Sequence, residues 1–297
     1  MLKRFLKTLH EQITLLYLSL FSILRILIFS RASRQIKRLK VGQNSECYIL
    51  GNGPSLKQNI LNDLDFIKTK ELFVVNDFAK SKYFEILKPH YYVLLDPSYW
   101  DTNTYKELFD NCVVVLNTMI DKTKWPMYLI VPHEACHSDL LKNISLINKN
   151  ITIVNFNSTS VTGFKWFRFI SYRNFLGMPP VNNVVGACIF IAINMNYKEI
   201  NLLGTDHSWT QDLMVNEKNH VCCVNPHFFD EEDGHYLPHK TVNGVYYSMH
   251  RLLRDYALMF EGYHTLRSYA ESRKVIIFNR CKKSFIDAFE RRDLYFK

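Results

Sequence analysis

CYILGNGPSL, residues 47–56, joins a run of apolar β-formers directly to a loop of two glycines and a proline. The run does not alternate, so it reads as a strand buried on both faces. Gly51 and Gly53 let the backbone approach another group closely, Pro54 can open a helix, and the N–H groups at that helix start form an anion site. A strand, a glycine loop and a helix in this order begin a parallel α/β sheet, and Gly51, Asn52, Gly53 and Ser55 become candidates for nucleotide or phosphate binding. The loop is neither G-x-G-x-x-G nor a Walker A sequence, since no glycine follows at the proper step and no Gly-Lys-Ser/Thr occurs. A tight turn without ligand is the alternative.

The same alternation continues outward. LFVV (72–75), YYVLL (91–95), VVVL (113–116), YLIV (128–131), ITIV (151–154), EINLL (199–203) and VIIF (275–278) read as strands, most of them continuous apolar runs. VVGACIFIAINM (184–195) is apolar nearly all round and reads as a buried helix, while Val242–Ser272 carries apolar residues at three-to-four spacing. These features predict an α/β fold: a single Rossmann-like, doubly wound, mainly parallel sheet with helices on both faces, over residues 44–297. Residues 207–240 lack periodicity and read as a lid-like loop. Ligands of such sheets sit beyond the carboxyl ends of the strands. Asn76 after LFVV, Asp96 after YYVLL and Gly204-Thr205-Asp206 after EINLL all stand there, and four strand ends bearing polar groups are better explained by one site than by separate caps.

The 297 residues are 47% hydrophobic and 22% charged, which excludes disorder and collagen-like repeats. Nine of the 37 Lys/Arg but only one acid fall in the first forty residues, so that segment holds nearly all of the +9 net charge. A nearly neutral body lacks the basic footprint of a nucleic-acid binder, and no nucleic-acid partner is expected. Residues 13–29 are apolar apart from small hydroxyl residues and Arg25. Such a run extends about 25 Å, short of the roughly 20 residues a crossing helix prefers, and a central arginine costs about 2.5–3.5 kcal/mol. No small-x-small cleavage site follows it. Residues 1–43 are therefore expected to be an amphipathic membrane-associating helix, peripheral or a single anchor, on the cytoplasmic face of the inner membrane. Packing on a partner subunit is the alternative. The seven cysteines have no repeated C-x-x-C spacing and read as free thiols of a reducing compartment.

Three sequences invite a chemical reading. His133-Glu134-Ala135-Cys136-His137 matches H-E-x-x-H, but Pro132 precedes it and no suitably spaced third ligand follows, so zinc is not expected. Asp63-Leu64-Asp65 lies in a polar helical stretch and Asp230–Asp233 reads as a solvated acidic turn. No metal and no cofactor are expected. His235-Tyr236-Leu237-Pro238-His239-Lys240 holds an imidazole able to take a proton near neutrality and a phenol able to bind a leaving phosphate; a hydrogen-bonded structural histidine is the alternative.

YILGNGPSLK, VVND, LLDPS, VVGACIFIAINMNYKEINLLGTD, HYLPHK and VIIFNRCKKSFIDAF occur in one order over most of the chain. Together they resemble the bacterial sialyltransferases of glycosyltransferase family 42 and, more distantly, motility-associated-factor-like nonulosonate transferases. The resemblance implies a metal-independent inverting transferase for a CMP-activated sugar. It implies that Asn52, its glycines, Gly186 and Gly204–Asp206 belong to the donor site, that Asn76 helps hold the donor, that Tyr236 binds phosphate and that His239 is the general base. Asp96 falls where the sialyltransferases have asparagine. Two further departures are Asn182, where the family has arginine, and Ser208, where it has tyrosine. The donor is then a nonulosonate other than N-acetylneuraminic acid, or a CMP sugar such as Kdo, and the basic N-terminal segment suggests a lipid-linked acceptor of lipopolysaccharide or capsule biosynthesis. The expected partners are the nucleotide-sugar donor, an oligosaccharide or glycolipid acceptor, the membrane surface and a second copy in a homo-oligomer. Two other classes compete: a pterin pyrophosphokinase-like diphosphotransferase, which shares a G-x-G-P-S-L loop and needs magnesium, and a non-catalytic membrane-bound subunit of glycan assembly.

Overall fold

A computed structural model describes residues 1–31, 35–39, 45–224, 227–229 and 236–294. The expected strand at residues 47–50 forms as β1 (Glu46–Leu50), followed by β2 (Leu72–Val75), β3 (Tyr91–Val93), β4 (Met127–Pro132), β5 (Ile151–Phe156) and β6 (Glu199–Leu203). β7 (Met214–Val215), β8 (Val221–Cys223) and β9 (Leu237–Pro238) make a small antiparallel sheet, and β10 (Ile276–Asn279) and β11 (Glu290–Arg291) return to the large one. The eight-stranded sheet has the order β11-β10-β6-β1-β2-β3-β4-β5, with every neighbouring pair parallel. The winding reverses between β1 and β6, and that reversal opens a crevice above their carboxyl ends.

The helices are α1 (Leu2–Phe29), α2 (Gln35–Arg38), α3 (Ser55–Ile67), α4 (Tyr83–Leu87), α5 (Lys106–Lys122), α6 (Asp139–Ile147), α7 (Lys165–Arg173), α8 (Val184–Asn194) and α9 (Met249–Ser272). They cover both faces. Cys47 and Ile49 of β1 pack with α8 and α9, and Tyr48 and Leu50 pack with α3 and α5. Two-sided burial is why the strands show no alternation. All eleven residues of α8 are buried, as an all-apolar helix must be.

Residues 113–116 are not a strand but part of α5, whose buried Cys112, Val115, Leu116 and Met119 follow the helical period. The β-forming tendency of three successive valines yields to that longer pattern. The long helix near the C-terminus starts at Met249, because residues 241–245 form a turn in which the Thr241 amide donates to Val245 O and Gly244 takes φ +78°. The aperiodic stretch after β6 is folded around β7–β9. The acidic run 230–233 and His235 lie outside the described residues.

α1 extends well beyond the expected apolar run, and from Leu6 to Phe29 it is long and apolar enough to cross a membrane. One stripe of it is held to the domain. The Ser19 hydroxyl accepts from the Phe164 amide at 3.0 Å, the Ser22 hydroxyl accepts from the Thr162 amide at 2.9 Å, and Asn157 brackets Arg31 by accepting from its amide and donating to its carbonyl. Ile26 and Ile36 pack on the core around α8.

Candidate functional site

The crevice between β1 and β6 is a cavity of about 130 Å³ lined by the Gly51–Pro54 loop, Val75-Asn76, Asn183–Val185, Gly204, Asp206–Trp209, Asp212, Val224 and His227. The two loops at its floor are too close for side chains. A Cβ on Gly51 would stand 2.4 Å from Gly204 O, and one on Gly53 would stand 2.1 Å from Asp206 Oδ2. Backbone bonds from Gly51 N to Leu203 O (2.8 Å) and from Gly53 N to Gly204 O (2.9 Å) tie the loops together. The glycines thus serve first to bring the β1 and β6 ends into contact.

Asp206 Oδ2 accepts from the Ser55 hydroxyl at 2.9 Å and from the Ser55 amide at 3.3 Å. The helix start offered to an anion by the sequence already carries this carboxyl. Burial pushes the Asp206 carboxyl upward in pKa, and the two Ser55 bonds pull it back. Asn52 Nδ2 donates to Val75 O at 3.1 Å, and Asn52 O accepts from the Phe228 amide at 3.0 Å, so the segment after β8 rests on the glycine loop. Asn52 Oδ1 and Asn76 Oδ1 are buried, and neither has a hydrogen-bond partner among the described residues. Asn76 holds φ +47°, a left-handed conformation asparagine tolerates, and its neighbour Asp77 turns away to Tyr99 and Lys80.

A second cavity of about 360 Å³ adjoins the first, sharing Asn76, Asn183 and Val184, and is walled by Asp96, Asn182, Ser158, Ser160 and Met178. Asp96 Oδ1 also accepts from the Ser98 amide at 2.9 Å, so the residue caps a turn and forms a cavity wall. Asn182 at φ +44° and His207 at φ +53° add two more left-handed residues to the rims of these spaces. Such conformations concentrate where a site over-determines its backbone.

Gly186 and Thr205 line neither cavity. Gly186 leaves room for Val181, whose carbons would stand 2.7 Å from an added Cβ. Thr205 is fully buried, donates its amide to Cys281 Sγ at 3.1 Å and accepts from the Ser284 hydroxyl at 2.7 Å. Tyr236 is half exposed, and His239 sits with Nδ1 3.4 Å from Cys223 Sγ and its ring centroid 5.0 Å from that of Tyr247. Neither lines a cavity, although β8 runs from Cys223 straight into the lining residue Val224. Burial holds His239 below the usual imidazole pKa and so keeps it neutral near pH 7. Burial also raises the Tyr247 phenol, Asp255 adds to the effect and Arg251 opposes it.

Asn183, His207 and Trp209 were not singled out by motif. Asn183 Oδ1 accepts from the Val185 amide at 2.8 Å and so caps α8; Asn before an apolar helical run was the available signal. His207 is buried with Nε2 2.8 Å from the Tyr263 hydroxyl, and burial lowers its pKa to about 3. The His133, Cys136 and His137 ligand atoms lie within 4.8 Å of one another, on a 3₁₀ turn after β4 and not on a helix. That group could hold a metal ion, and it lines neither cavity.

A glycine loop and a carboxyl-bearing loop meet at the reversal of a doubly wound sheet, the place where sheets of this class generally take their ligands. The family model described as 6-hydroxymethylpterin diphosphokinase MptE-like matches residues 26–212, and the chain belongs to that family. No curated protein matches it in sequence. Solved structures similar to it include the MAf glycosyltransferase of Magnetospirillum magneticum AMB-1, at 12% identity and TM-score 0.47 over 89% of this chain and 35% of that one. The chain therefore spans about a third of the MAf protein. Others are an α-2,3-sialyltransferase of Campylobacter jejuni (16% identity, TM-score 0.42, 85% of this chain and 82% of that) and the sialyltransferase CstII of Campylobacter jejuni (15%, 0.40, 83% and 85%). Both groups named from the motifs are thus present among its structural neighbours, and at these scores they decide neither donor nor reaction.

Proposed function

We propose that the chain is an inverting, metal-independent glycosyltransferase that moves a sialic-acid-like (nonulosonate) or related sugar from a CMP donor to a glycan or lipid-linked saccharide. The observation that carries this reading is the cavity at the β1–β6 reversal. Two buried amide oxygens, of Asn52 and Asn76, need donors, and the described lining contains no Lys or Arg. The cytosine amino group and ribose hydroxyls are donors of the required kind. A CMP sugar carries one phosphate, so it asks for less cationic compensation than a nucleoside triphosphate does.

In the reaction, the acceptor hydroxyl oxygen attacks the anomeric carbon while His239 takes its proton. The bond from that carbon to the CMP oxygen breaks, CMP leaves with the electron pair, and Tyr236 donates to its phosphate. For His239 to serve as base, its Nδ1–H must face Cys223 Sγ, which leaves the Nε2 lone pair for the acceptor. This role requires His239 and Tyr236, which line neither cavity, to come within reach of the bound donor. A panel of CMP and UDP sugars, assayed for nucleotide release with EDTA present, tests the proposal: CMP release without metal supports it, and no release from any CMP sugar overturns it.

One specific observation favours a second reading. The family match, together with Asp206 and Asp212 in the lining, suits a magnesium-bound nucleoside triphosphate and diphosphate transfer to a pterin alcohol. ATP- and magnesium-dependent diphosphorylation of 6-hydroxymethylpterin would replace the first reading with this one.

A further inference from the structure

α1 carries a long exposed apolar surface, including Leu16, Leu20, Leu24 and Leu27, while Leu15, Leu18, Ser19, Ser22 and Ile26 turn toward the domain at three-to-four spacing. Its hydrogen bonds to the domain begin at Ser19, midway along the apolar run 13–29, and continue through Ser22 and Ser30 to Arg31. Preceding Ile13 are His10, Glu11 and Gln12. From Gln12 to Ser19 a helix rises only about 10 Å, whereas the hydrocarbon core is about 30 Å thick. A crossing α1 would therefore carry the Thr162–Phe164 loop and Lys165 into the middle of the bilayer. Irregular backbone facing lipid is not stable there.

The element that follows the clamp offers a second apolar surface. α7 (KWFRFISYR) starts directly after Phe164 and buries Ser171 and Tyr172, yet leaves Trp166 65% and Ile170 54% exposed. Lys165 and Arg173 are exposed beside them, and Arg168 is half-buried. Exposed Trp and aliphatic groups flanked by cations suit the headgroup boundary of an anionic leaflet.

We infer that α1 and α7 together form a monotopic seat: both lie in one leaflet, α7 inserts Trp166 and Ile170, and α1 does not cross. The inference is independent of the donor. Because Ser158 lines the second cavity and Thr159 accepts from the Ser30 hydroxyl, the seat also sets that cavity beside the lipid surface.

The full chain with an N-terminal epitope, in sealed membrane vesicles from expressing cells, is treated with an impermeant protease. The epitope and the catalytic domain should be cut together or protected together; cutting of one alone would show a crossing helix and overturn the inference. Purified full chain is then floated with vesicles of phosphatidylcholine and phosphatidylglycerol. Trp166→Glu combined with Ile170→Glu should lower binding about tenfold or more, because two large apolar groups lose their burial in the interface. Brominated acyl chains should quench wild-type tryptophan fluorescence more than that of Trp166→Phe. Unchanged flotation with unchanged quenching would leave α7 outside the membrane, and a lipid-free dimer abolished by the double variant would assign the face to a second copy. Either result overturns the inference.

Discussion

Asp206 reaches from the end of β6 to the start of α3, where its Oδ2 accepts both the hydroxyl (2.9 Å) and the amide (3.3 Å) of Ser55. A carboxyl 151 residues away in sequence thereby closes the helix that follows β1. On the proposed function, a donor phosphate entering the cavity would meet this carboxyl and either bind beside it or displace it.

Removing the charge at this position should change acid behaviour in a defined direction. The Asp206 carboxyl titrates above its ordinary value of 3.8 because it is buried, so over the window between that value and the raised one the folded state holds more protons than the unfolded. Stability then falls as pH rises through that window. Asp206→Asn should lose this contribution, seen as a flatter dependence of Tm on pH as pH rises above 3.8.

His207 acts in the opposite sense. Its folded pKa of about 3 lies below the ordinary 6.5, so as pH falls below 6.5 the unfolded chain takes up a proton that the folded one refuses. Wild-type stability should drop by about 1.4 kcal/mol per pH unit from this group alone. His207→Asn, which tolerates the left-handed backbone, should be less stable at pH 7.5 and lose less between pH 7.5 and 5, read as urea midpoints.

Gly53→Ala places a methyl 2.1 Å from Asp206 Oδ2 and 2.7 Å from Gly204 O. One of the partners is backbone, so the loops must separate. A loss of about 1–3 kcal/mol in stability is expected, with donor binding weakened at least tenfold by calorimetry.

His239→Ala should lower transfer by about 10² or more while CMP affinity stays within a few fold, because a base acts in the transition state. Tyr236→Phe should weaken donor hydrolysis as well as transfer. Cys223→Ala, which leaves His239 Nδ1 without its sulfur, should lower kcat more than KM. Near-normal transfer by His239→Ala would remove the base from the hairpin.

The sheet was legible because its strands are buried on both faces: EINLL was read as 199–203 and forms there, and the polar groups after β1, β2 and β6 do meet. What the chain could not disclose locally was partnership across it. Nothing near Ser55 tells that Asp206 occupies its amide, and nothing in HYLPHK tells that His239 packs on Cys223 and Tyr247 outside both cavities. Gly186 leaves room for Val181, a packing need that a motif cannot display. Ile36 also belongs to the core around α8 and Ile26 packs against it, so deleting residues 1–43 would remove packing from the domain.

The sheet order has a consequence for how the protein is made. β1 pairs with β2 on one edge and with β6 on the other, and β6 follows it by about 150 residues. At ~5–20 residues per second of translation, the central strand waits about 8–30 s with an apolar edge unfilled, long after α1 has left the ribosome. Until β6 emerges, that edge is open to pairing with a neighbouring nascent chain, so edge-to-edge aggregation is the hazard built into this strand order.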